Sequence, residues 1–197
     1  LEKSFTNEQI KKFIFISSDF ENKIGRKIKK HILNTSGILN FSEAQFEMVR
    51  TGIGLYGFGN DSKFRDNLKP VISLKTIISQ INHIKKGESV GYNRGFLSKK
   101  SIITATLPIG HADGINRQYG NGKASVMVNG KSALIIGNIC MDMMMIDISN
   151  IICNEGDQVI IFDDKNVSAE EFTESAGTIS YEILTALSKR IKRVVIN

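Results

Sequence analysis

The chain has 197 residues, 41% hydrophobic and 23% charged, an ordinary balance for one or two globular domains. No apolar run approaches the ~20 residues that cross a bilayer, and the two cysteines, Cys140 and Cys153, have neither a disulfide-framework nor a metal-site spacing, so a membrane-spanning protein, a disulfide-stapled secreted domain and a cysteine metal centre are set aside. The net charge of +6 suits an anionic partner, nucleic acid or a phosphorylated small molecule, and more commonly a solvated basic surface.

The first segment predicts helix, strand, helix, strand. Thr6 and Gln9 have capping-box spacing, and Ile10, Phe13, Ile14 and Phe20 recur at helical intervals. A basic stretch, Lys23, Arg26, Lys27, Lys29 and Lys30, leads into a short strand over 31–33. Ser42 and Gln45 repeat the capping-box spacing ahead of Phe46 and Met48. A second apolar segment over 48–50 then enters the glycine-rich turn Thr51, Gly52, Ile53, Gly54. Alternating strands and helices predict a parallel α/β unit over residues 1–68. Two such units cannot close a barrel, so this part reads as incomplete. The opening LEKSFTNEQI has no secretory pattern and no initiator Met, which predicts a cytoplasmic protein with reduced thiols and a piece cut from a longer chain.

Residues 59–70, from Gly59, Asn60, Asp61 and Ser62 to Pro70, are the expected linker. Beyond it, alternation over 71–76 and short β runs over 102–107, 124–128, 133–137, 143–148 and 158–162 are separated by turn signals. These are Asn121 with Gly122, Asn129 with Gly130, and Glu155, Gly156, Asp157; Asn-Gly between β runs is a strong hairpin signal. Residues 69–197 are therefore expected to be mainly antiparallel β. Ser168 with Glu171 caps one further helix, 179–188 predict another, and 193–196 a final strand.

Chemistry-bearing residues fall in both parts. Asn34, Thr35, Ser36 and Gly37 follow one strand, and Thr51 to Gly54 the next. Hydroxyls, glycines and free N–H groups at the C-terminal ends of parallel strands suit a phosphate, although ordinary βα turns look the same. Arg50 ends its strand beside that turn. A guanidinium donates without giving up its proton, which suits a heteroaromatic nitrogen as well as a surface ion pair. Taken singly, Met141 and Met143 to Met145 read as core, Cys140 as a buried thiol and His111 as a loop histidine.

Taken in series, the strings VRTGIGLYG, VGYNRG, ATLPIGHADGINR, GK…IIGNICMD and GTISYE resemble alanine racemase across nearly the whole chain. The wording GNICMDMMMID is similar to racemases fused behind a Mur ligase domain. The resemblance implies an α/β fold plus a mainly β one: the C-terminal part of a (β/α)8 barrel followed by a β-rich C-terminal domain. It implies pyridoxal 5'-phosphate as cofactor, held by a lysine in the part of the barrel that this chain lacks. Arg50 matches the arginine facing the pyridine nitrogen, and His31 the histidine that holds it. Thr35 stands where the family usually has a phosphate-binding Ser. Gly52 and Ile53 match backbone phosphate donors, and Tyr181 a phosphate-binding tyrosine. Tyr92 matches the second catalytic base, Met141 a backbone contact to the substrate carboxylate, and Arg117 a residue of the substrate passage. His111 departs from the family, which commonly has Tyr there. The implied activity is interconversion of L- and D-alanine for peptidoglycan synthesis in a homodimer whose subunits share each active site. The chain alone, lacking the lysine, is expected to be inactive. Two alternatives stand beside this reading: a non-catalytic basic β domain binding nucleic acid or a protein, and a racemase of another amino acid such as serine.

Overall fold

The computed structural model describes residues 2–59 and 62–196 and divides into two compact units, residues 1–69 and 70–197. In the expected linker, Asn60 and Asp61 lie outside the described residues, and a 3₁₀ helix covers Ser62–Asn67.

The first unit opens with helix α1, Lys3–Ile24, which stops where Gly25 turns left-handed at φ 66°. The Thr6–Gln9 capping box does not start it. The helix begins a turn earlier, because Lys3, Ser4 and Phe5 offer no breaker, and the Thr6 hydroxyl donates to the Glu2 carbonyl (3.2 Å). Of its periodic apolar residues, Ile10 packs with Leu33, Phe41 and Ala44, and Phe13 meets the Phe46 ring at 5.5 Å. Ile14 and Phe20 are exposed. The expected strands over 31–33 and 48–50 shrink to one parallel bridge, His31 to Met48, and a bond from the Arg50 N–H to the Leu33 carbonyl (3.0 Å). Helix α2, Thr35–Asn40, lies between them, and its N-cap Asn34 accepts from the Gly37 N–H (3.0 Å). The second capping box yields only a 3₁₀ turn, Ser42–Ala44: Asn34 has already started the helix upstream, and Phe46 at φ 45° breaks continuation.

Part of the basic stretch pairs with a buried carboxylate, while Lys23, Arg26, Lys27 and Lys29 themselves stay exposed. Glu21, almost wholly buried, accepts from the Ile28 N–H (3.0 Å) and from Lys27 and Lys30 (3.1 Å each), while Lys23 pairs with Asp19 (2.8 Å). The Ile28 N–H, followed by the two ammonium groups, holds the Glu21 carboxyl down to about 2. A depressed carboxylate stabilises the fold fully above the ordinary glutamate value of ~4.3 and ceases to do so as pH falls toward the folded value. Glu21→Gln should therefore lower the melting temperature at neutral pH and flatten its decline between about pH 5 and 2. Parallel wild-type and variant acid profiles in thermal melts would contradict this.

The second unit is a seven-stranded antiparallel sheet in the order β1-β9-β6-β7-β8-β5-β2, with a two-stranded hairpin β3-β4. The strands are β1 Leu74–Ile77, β2 Gln80–Ile84, β3 Ser89–Val90, β4 Phe96–Leu97, β5 Ile102–Leu107, β6 Ser125–Val128, β7 Lys131–Ile136, β8 Met144–Asp147 and β9 Gln158–Phe162. Of the five expected β runs, β5 and β9 keep their bounds, and β6, β7 and β8 differ by at most two residues at either end. Asn129 and Gly130, both at positive φ, make the β6–β7 turn. β1 and β2 occupy opposite edges yet are separated only by Ile78 and Ser79, so the sheet curls back on itself at that corner. There the Ile78 N–H donates to Asp157 and the Ser79 N–H to Thr106.

Ser168 and Glu171 form a complete capping box for α3, Ala169–Glu174, and α4 spans Ser180–Ala186. Phe172 of α3 packs on Tyr119 (4.6 Å) and Phe162 (6.5 Å). The expected final strand over 193–196 is not formed. The Arg193 guanidinium bonds instead to the Leu187 and Ser188 carbonyls, and Val194, Val195 and Ile196 are exposed. Met144 and Met145 are core, as expected, but Met141 and Met143 are exposed.

Candidate active-site residues in two units

In the first unit, the turn after the second extended segment closes on the start of α2. The buried Thr35 Oγ1 accepts from the Gly52 N–H (2.9 Å) and the Gly54 N–H (3.3 Å). Two donors fill its lone pairs and leave the hydroxyl proton to be given outward. Gly54 permits this approach, since a Cβ there would stand 2.9 Å from Thr35 Cγ2. The Ile53 N–H has no acceptor among the described residues. Arg50 borders the same cradle: its Nη1 lies 3.4 Å from where a Gly52 Cβ would be. His31 and Arg50 are both exposed, on neighbouring parallel segments, and no hydrogen bond joins their side chains among the described residues. Thr35, Ile53 and Arg50 thus form one group of donors around the turn; the Gly52 N–H, expected as a phosphate donor, is instead taken by Thr35, and His31 lies on the neighbouring segment.

In the second unit, Tyr92 sits at the tip of the β3–β4 hairpin. Val90 and Phe96 anchor that hairpin on Ile102, Ile136 and Met145. The tip bends through Gly91 (φ 78°), Asn93 (φ 55°) and Arg94 (φ 52°). Asn138 grips it: its Nδ2 donates to the Tyr92 carbonyl (2.8 Å), and its Oδ1 accepts from Asn121 (3.0 Å). Gly95 makes room, because a Cβ there would fall 2.6 Å from Asn138 Nδ2. The phenol, 71% exposed, stands out from a fixed loop. The string IIGNICMD contains Asn138, but nothing in its wording marks it as the residue that holds the Tyr92 loop.

His111 and Met141 are joined through backbone. The His111 N–H donates to Cys140 (3.0 Å) and the Ala112 N–H to Met141 (2.9 Å), while the Met141 N–H has no acceptor among the described residues. Gly110 allows the contact, for a Cβ there would lie 2.5 Å from the Met141 carbonyl oxygen. His111 and Arg117 line a groove of about 400 Å³ with Gly114, Asn116 and Ala186. Tyr181 is half-buried in the first turn of α4, and its hydroxyl has no hydrogen bond to another described residue. Arg190, which no sequence motif marks, bonds to both Asp113 and Asp142. No group of three or more His, Cys, Asp or Glu side chains placed to hold a metal ion occurs among the described residues. Nor does a helix long and apolar enough to cross a membrane.

Comparison with known proteins agrees across both units. The family described as alanine racemase, N-terminal domain, matches residues 1–59, and alanine racemase, C-terminal domain, matches residues 71–195. Alanine racemase 1 of Clostridium acetobutylicum is 41% identical over 98% of this chain and 52% of its own length. The alanine racemase of Clostridium tetani is 38% identical over 99% of this chain and 52% of its own. Among solved structures, Bacillus anthracis alanine racemase with bound L-Ala-P superposes with a TM-score of 0.86 and 32% identity, covering 97% of this chain and 50% of that one. Bartonella henselae alanine racemase with covalently bound pyridoxal phosphate gives 0.83 and 31%, over 98% and 52%. The chain spans about half the length of the curated relatives it matches.

Proposed function

The chain belongs to the alanine racemase family, and we propose that its parent protein interconverts L- and D-alanine with pyridoxal phosphate, supplying D-alanine for peptidoglycan. The observation that carries this reading is the exposed phenol of Tyr92 on a loop clamped by Asn138 and glycines, within a chain matched to the family over both units.

The residues fit the cofactor. A phosphate needs donors, and the Thr35 hydroxyl and the Ile53 N–H are available ones beside the Gly52 turn. Arg50 would hold a ring nitrogen by donating to it, with His31 as its neighbour, and Tyr181 would add a phenol to the phosphate. The covalent attachment belongs to a lysine outside this chain. Pyridoxal phosphate, when bound, acidifies the Cα proton of an amino acid by drawing electron density away from it.

Tyr92 takes or returns that proton on one face of Cα, and a base outside this chain serves the other. The free Met141 N–H receives the substrate carboxylate. His111 and Arg117 line the way in. The family resemblance has Tyr92 serving a neighbouring subunit's cofactor site in a homodimer, and an exposed phenol on a fixed loop is compatible with that role.

The basic-patch alternative is weakened by Glu21 and Asp19, which pair with Lys23, Lys27 and Lys30. Serine remains the substrate to compare, because His111 replaces the usual Tyr. The test is optical: with pyridoxal phosphate, the full-length parent protein should bring either alanine enantiomer to a zero rotation. Cofactor-loaded protein that leaves both enantiomers unchanged, while binding nucleic acid in a salt-dependent way, would reverse the conclusion.

A further inference from the structure

The loops that carry His111 and Met141 are gripped from a third segment. Arg190 Nε donates to Asp113 Oδ1 (2.6 Å), and its Nη2 donates to Asp113 Oδ2 (3.3 Å) and to Asp142 Oδ1 (2.5 Å). The Asp113 carboxylate is 7% exposed and also accepts from the Gly110 N–H (2.9 Å). The Ser188 N–H adds a bond to the Asp113 carbonyl (3.1 Å). Three stretches far apart in sequence, around residues 110–114, 140–142 and 188–190, thus meet at one guanidinium. Such a planar fork can bridge two carboxylates in a fixed plane, which a single ammonium cannot do.

The residues next to this clamp face the proposed chemistry. Asp142 follows Met141 directly, and Asp113 lies two residues from His111. Among the described residues, the direct hydrogen bonds between the two loops are main-chain ones, His111 to Cys140 and Ala112 to Met141. A shift of the 140–142 loop would move the unpaired Met141 N–H with it.

We propose that Arg190 is a positioning residue: it holds the 110–114 and 140–142 loops in the register that aims the Met141 N–H at the substrate carboxylate. It therefore governs affinity for the amino acid and leaves proton transfer alone. This rests on the role given to Met141 above. Arg190→Lys and Asp142→Asn in the full-length parent protein test it. Asp142 is half-exposed and its loss leaves the buried Asp113 pair intact, so that variant keeps its fold.

Both variants should raise KM for alanine roughly tenfold, the worth of one charge-assisted hydrogen bond. Turnover should stay within about twofold and the cofactor's visible absorbance should be unchanged. Inhibition by acetate, a bare carboxylate, should weaken by the same factor as KM. The double variant should be little worse than the poorer single one, because both changes cut the same clamp. Unchanged KM and acetate inhibition in active variants would overturn the proposal. So would a fall in turnover and absorbance together, which marks general loss of structure. A wild-type protein that loads cofactor but does not racemise alanine is a separate failure, of the underlying function.

Discussion

Replacing Tyr92 by phenylalanine in the full-length parent protein is expected to cut racemisation roughly a hundred- to ten-thousandfold, the usual contribution of one positioned acid–base group. The structure makes this a clean change. The Tyr92 hydroxyl has no bond to another described residue; the loop is held through the Tyr92 carbonyl and by Asn138, both of which phenylalanine leaves in place. The hairpin beneath rests on Val90 and Phe96. Cofactor absorbance should therefore survive. The loss should also be one-sided: solvent exchange of the Cα proton should stop for one enantiomer and persist for the other, whose proton is handled by the opposite base. Proton NMR in deuterated water follows both at once. Loss of visible absorbance in the variant, or equal exchange from both enantiomers, would refute the assignment.

Arg50→Lys is the second large effect. Arg50 is fixed by its own N–H to Leu33, and its guanidinium borders the Thr35–Gly52 cradle. Lysine keeps the charge but loses the planar fork, so cofactor affinity should fall about tenfold or more. An ammonium also gives up a proton more readily than a guanidinium. The course of the reaction should therefore change, with keto acid from transamination appearing beside the racemised alanine. Titration of the apo protein with pyridoxal phosphate and an assay for keto acid check both. Wild-type kinetics with lysine at 50 would rule out this role.

What could be read from residues alone was local. The Asn129-Gly130 turn dictates a hairpin because both positions need positive φ, and Ser168 with Glu171 makes a reciprocal pair of bonds within one turn. Where local signals compete, spacing alone misleads. Ser42 and Gln45 have the spacing of a cap, but Asn34 starts a helix first, and the β-prone end at 193–196 is held apart by Arg193. The strand order was not legible, because β1 pairs with β9 over eighty residues away. Nor was the Arg190 clamp, whose three members gain meaning only when the fold assembles them. The site motifs were visible as strings. The order of donors around Thr35, with the Gly52 N–H taken by the threonine and the Ile53 N–H without an acceptor among the described residues, is set by how the turn folds onto α2 and not by the string itself.

The corner at Ile78 and Ser79 bears on how this domain is made. Because the first strand of the sheet lies beside the last, a ribosome must release the chain through Phe162 before Leu74 can find its partner. Until then β1 remains a solitary ribbon with unpaired amides, open to contact with any other nascent chain. Truncation anywhere before β9 should thus yield aggregates in place of a smaller folded core, and sedimentation of such stumps against the whole domain would reveal it.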